Sequence, residues 1–96
     1  MNMNDVLNEK FLEDLESAEK ELRNAELDLK VRKARLYLYR DFQKEDGVEG
    51  RITEKTKENL VTNLTVDDEK ELIELKARYN FLRRLFRAYE SNAKEE

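Results

Sequence analysis

Apolar residues recur from Phe11 onward at alternating gaps of four and three. Leu15, Leu22, Leu29 and Leu36 fall on every seventh position, and Phe11, Ala18, Ala25, Arg32 and Tyr39 interleave with them. This is the a/d repeat of a coiled coil, with Arg32 its one charged member. A second stripe, Leu27, Val31, Ala34 and Leu38, starts halfway along. The helix should therefore be apolar on a narrow seam at first and on a wider arc later, where neighbours would grip it from two sides. The pattern predicts a first helix over residues 4–43, capped by Asn4. Its length would be about 60 Å.

The two glycines, Gly47 and Gly50, both fall in residues 43–51, which read as a turn. Gly47 is the candidate C-terminal cap of the first helix. Residues 53–64 predict a short helix, capped by Thr53, with Leu60, Val61 and Leu64 on its apolar face and Ile52 just before it. Thr65 as N-cap, with Asp68 three residues on, and the acids Asp67, Asp68 and Glu69 make a favourable start for a last helix reaching about residue 92. That helix carries a second heptad seam, Leu72, Leu75, Tyr79, Leu82, Phe86, Tyr89 and Ala93. A further apolar face is formed by Ile73, Ala77, Phe81, Leu85 and Ala88.

The expected fold is all-α. A long helical hairpin with coiled-coil heptad seams and a short connecting helix forms one domain over residues 1–96. The divisions are residues 4–43, 44–64 and 66–92. In the simplest register, residues near 40 face residues near 72, and residues near 30 face residues near 82. The last helix would then be too short to cover the first, leaving the seam of Phe11, Leu15, Leu22 and Leu29 exposed. A chain this small also builds a thin core on its own. Both points predict a homo-oligomer joined through that seam, which changing Leu15 and Leu22 together to Ser should dissociate without loss of the hairpin.

Composition narrows the chemistry. There is no Cys, His, Trp or Pro. Disulfides, thiolate zinc sites, thiol nucleophiles and histidine bases are thereby excluded. No glycine-rich phosphate loop and no Asp/Asn-rich calcium loop is present. The expectation is a protein that is not an enzyme and uses no metal or cofactor. The start has no basic segment leading into an apolar run, and no stretch suits a membrane span. A cytoplasmic location is expected.

Charge is distributed in blocks. Residues 1–29 hold nine acids and three bases, net −6, and residues 30–44 hold six bases and one acid, net +5. Residues 45–75 hold ten acids and four bases, net −6, and residues 76–89 hold five bases and no acid, net +5. The expected register would set the two basic blocks side by side as a band that also bears Tyr37, Tyr39, Phe42, Tyr79, Phe81 and Tyr89. Such a band can bind single-stranded nucleic acid, with bases stacking on rings and cations on phosphates. The candidate contacts are Lys30, Arg32, Lys33, Arg35, Arg40, Arg83, Arg84 and Arg87. The blocks can equally pair with each other, and heptad tyrosines can equally be core.

The run Lys33-Ala34-Arg35-Leu36-Tyr37-Leu38-Tyr39 resembles the end of the basic helix in the UvsY family of phage recombination mediators. The similarity continues through the turn at Asp46-Gly47, the short helix and the start at Val66-Asp67-Asp68, covering roughly residues 29–92. The chain departs from that family in being shorter and in having an acidic first helix. The resemblance implies a ring-like homo-oligomer that binds single-stranded DNA and helps load a recombinase. Lys30, Arg32, Lys33, Arg35 and the arginines of the last helix stand at the basic positions. Two other functions fit the sequence. One is a phage inhibitor of a host nuclease or defence enzyme, using the acidic run Glu13, Asp14, Glu16, Glu19, Glu21, Glu26 and Asp28 as a DNA mimic. The other is a plain coiled-coil adaptor.

Overall fold

A computed structural model describes residues 3–95, with side chains for residues 9–91. Four helices follow in order: α1 (Met3–Tyr39), α2 (Phe42–Glu45), α3 (Glu54–Leu64) and α4 (Val66–Glu95). The molecule is a rod of 68 × 20 × 15 Å, which is about two helices wide. The fold is the all-α helical hairpin that the heptad pattern predicts.

The first helix ends earlier than expected. It breaks at Arg40, and Asp41 then caps α2 by accepting from the Lys44 backbone N–H at 3.1 Å. At the other end Asn4 already lies inside α1, so it is not the cap. Phe42 is buried and anchors the turn. Gly47 follows with φ +66°, a left-handed conformation that costs a glycine least. That kink points the Val48 N–H back at the Phe42 carbonyl, 3.3 Å away. Gly47 thus closes α2 rather than α1. Gln43 ties down the far side of the loop by donating to the Gly50 carbonyl at 2.6 Å.

Thr53 caps α3 as expected, its hydroxyl accepting from the Thr56 backbone N–H at 3.2 Å. Thr65 departs from expectation. Its side chain does not accept from the first turn of α4. It is fully buried and donates to the Val61 carbonyl at 2.9 Å, closing α3. The Thr65 carbonyl accepts from the Glu69 N–H at 3.0 Å and so starts α4. One residue therefore separates α3 from α4, and the two act as a single bent arm laid along α1.

That arm sets the register. Tyr37 of α1 meets α3, with the Lys57 ammonium 4.7 Å from its ring centroid. Below it, Arg32 pairs with Asp68 and Lys33 with Glu69. Leu22 and Leu29 bury against Leu72, flanked by Ala25, Leu75 and Tyr79. Farther down, Arg78 lies 3.5 Å from Glu21, and the rings of Phe11 and Phe86 stack with centroids 6.3 Å apart. The chains run antiparallel, but α4 is displaced by about three helical turns from the simplest register. The reason is that α3 occupies the stretch of α1 near residue 37 that α4 would otherwise take.

Two expectations fall with this shift. Because α4 reaches Phe11, the first helix does not overhang. The seam assigned to an oligomer is the hairpin's own: Leu22 and Leu29 are buried in it, and Phe11 and Leu15 are half-buried. Changing Leu15 and Leu22 to Ser would thus attack the hairpin itself.

Candidate interaction surface

The register decides what the charge blocks do. Each long helix is acidic in its first half and basic in its second, a polarity that also suits the helix dipole. Antiparallel packing sets the basic end of α1 against the acidic start of α4, as in the pairs of Arg32 and Lys33 with Asp68 and Glu69. It sets the basic part of α4 against the acidic part of α1, as in Arg78 with Glu21. The two basic blocks do not lie side by side, and the expected band is absent among the described residues.

The eight candidate nucleic-acid contacts therefore scatter. Arg32 and Lys33 are held by carboxylates of α4. Arg40 grips Asp46 in bidentate fashion, donating from Nε at 2.9 Å and from Nη2 at 2.8 Å, with Glu45 at 3.5 Å. This hydrogen bonding holds the Asp46 carboxyl below its ordinary range and pushes the Arg40 guanidinium up. The Arg83 guanidinium lies 5.6 Å from the Tyr79 ring centroid. Lys30, Arg35, Arg84 and Arg87 are exposed and make no ion pair among the described residues. Of the acidic run, Glu19 is bound by Arg23 at 2.9 Å and Glu21 by Arg78.

What folding leaves uncovered is apolar. On α1, Leu27 is 60% exposed, Val31 40% and Leu38 64%. This is the stripe expected to be gripped from two sides. At about 3.6 residues per turn it lies roughly opposite the seam of Leu22 and Leu29, so α4 cannot reach it, and α3 covers only one flank. Tyr39, expected on the seam, is 81% exposed because α1 ends there and the chain turns away. These residues line two open grooves. One, of about 710 Å³, runs from Leu27 past Val31 and Arg35 to Tyr39 and Arg40. The other, of about 490 Å³, lies between Leu38 and Ala34 of α1 and Val61 and Thr62 of α3.

The Leu27 stripe, expected to be gripped from two sides, faces outward instead. The usable signal was the stripe's angular offset from the heptad seam. Phe42, expected in an aromatic band, is core. Among the described residues, no helix is long and apolar enough to cross a membrane, and no cluster of acids could hold a metal ion.

No family model matches this chain, and neither the curated proteins nor the solved structures contain a match.

Proposed function

We propose that this chain is a non-catalytic helical interaction module, an adaptor whose working surface is the outer side of α1 near the turn. The observation that carries this reading is the groove of Leu27, Val31 and Tyr39, all exposed, with Arg35, which makes no ion pair among the described residues, at its wall. Its ligand would be an amphipathic helix of another protein. Leucines at helical spacing would fill the groove, and acidic flanking residues would meet Arg35 and Lys30. A photo-crosslinking residue at Leu27 or Tyr39 should give a stoichiometric protein adduct, and the same residue at Glu13 should not. Equal labelling from all three positions would sink the proposal.

A second reading keeps the resemblance to recombination mediators. It is favoured by Tyr39, which is 81% exposed and shares one groove with Arg35 and Arg40. That ring could stack a base while the guanidiniums take phosphates. The reading carries with it a homo-oligomer and a recombinase as partner. Its weakness is that Arg32, Lys33 and Arg40 are already neutralised within the chain. Anisotropy of a labelled oligothymidine at two salt concentrations tests it. Salt-sensitive binding lost in Tyr39→Ala would favour DNA, and no binding at low salt would leave the protein ligand.

A further inference from the structure

The outer side of α4 carries its own apolar stripe, distinct from the groove on α1. Ile73 is 64% exposed, Phe81 58% and Leu85 44%, and Ala77 and Ala88 lie on the same side. This stripe faces away from the seam of Leu72, Leu75 and Tyr79 that packs on α1. We infer that it binds a second copy of this chain, α4 against α4, in antiparallel orientation.

Three observations select this occupant. The first is length. The stripe runs from residue 73 to residue 88, about 22 Å, whereas the exposed stripe of α1 from Leu27 to Leu38 runs about 16 Å. The second is charge. The start of α4 holds Asp67, Glu71 and Glu74 against Lys70 alone, besides Asp68 and Glu69, which the hairpin already pairs with Arg32 and Lys33. From Lys76 to Tyr89 it holds only cations, among them Arg84 and Arg87. Two copies of α4 side by side in parallel would set acid on acid and base on base. Antiparallel copies set acid on base, the rule that the hairpin itself obeys at Arg78 with Glu21 and Lys33 with Glu69.

The third observation is that the two patterns agree on register. The midpoint of the apolar stripe falls at Asn80 and Phe81. The midpoint between Glu71 and Arg87, and between Glu74 and Arg84, lies within about one helical turn of it. An isologous pair centred there brings the two Phe81 rings close to the two-fold axis. Each Ile73 then lies opposite Leu85 and Ala88 of the other copy, and the charged blocks overlap. The contact is one helix face wide, at the small end of specific interfaces, so the dimer should form in a concentration-dependent way. The inference is independent of what the α1 groove binds.

Sedimentation velocity across a concentration series tests it. The unaltered chain should pass from monomer to dimer. Phe81→Glu should remain monomeric with its helicity kept, since Phe81 makes no part of the hairpin seam, and Leu27→Glu should dimerise normally. The absence of Cys makes orientation readable. On oxidation, Phe81→Cys, which lies next to the two-fold axis, should crosslink to itself. Ile73→Cys and Ala88→Cys should each fail alone but crosslink when mixed. A chain that stays monomeric at every concentration would overturn the inference. So would self-crosslinking of Ile73→Cys, which reports parallel pairing, or a dimer abolished by Leu27→Glu and not by Phe81→Glu, which reports the α1 surface.

Discussion

Leu29 and Leu27 stand two residues apart on α1, with the same side chain and the same helical neighbours. Leu29 is 7% exposed and Leu27 60%. The first belongs to the seam that α4 covers, the second to a stripe that α4 does not reach and that α3 covers on one flank only. Their separation around the helix, roughly half a turn, assigns one to stability and the other to association. Removing a buried leucine loses transfer energy and leaves a cavity, whereas removing an exposed one changes little in the isolated chain.

Truncation to alanine separates the two leucines most clearly. Leu29→Ala should destabilise the hairpin by about 2–4 kcal/mol in urea unfolding followed by circular dichroism, and Leu27→Ala by less than about 0.5 kcal/mol. Equal losses at low protein concentration would mean that the outer stripe is covered within the monomer. Next in size is Thr65, whose hydroxyl closes α3 and so aims α4 at the inner side of α1. Thr65→Val keeps the shape and the backbone N–H bonds to the Val61 and Thr62 carbonyls but removes the buried hydroxyl's own donation to them, which should cost about 1 kcal/mol, and Thr65→Ser should recover most of it. A neutral Thr65→Val would show that the bend is held by packing alone.

A smaller effect is expected from the ion pairs that fix register. Arg32→Asp and Asp68→Arg should each lower stability by at most about 1 kcal/mol, and the double exchange should restore part of the loss. Additive losses would mean that the pair does not help choose the register. The smallest effect concerns the turn. Arg40 depresses the pKa of Asp46 in the folded chain. The contribution of this pair is present above the unfolded carboxyl value near 3.8 and is lost as pH falls through the lower folded value. Amide exchange at Val48 should therefore quicken on the acid side, and Asp46→Asn should remove that dependence. An unchanged acid limb in Asp46→Asn would assign the titration elsewhere.

The sequence alone determined that this chain is helical, that its long helices carry seams, and that the chain turns at Gly47. It also determined that Thr53 opens a short helix. These are local properties: a heptad repeat, two glycines among charged residues, and a threonine with its hydroxyl aimed at a nearby N–H. Register was not local. One heptad seam fits another nearly as well when it is slid by seven residues, or by four and seven together, so periodicity could not say whether residue 30 faces residue 82 or residue 71. Only the tertiary structure decided it, through α3 lying along the end of α1 and Thr65 handing the chain to α4 with no intervening loop. That choice brought acidic blocks to basic ones instead of joining the basic blocks. It also enclosed Leu22 and Leu29 and left Leu27, Tyr39, Ile73 and Phe81 facing outward.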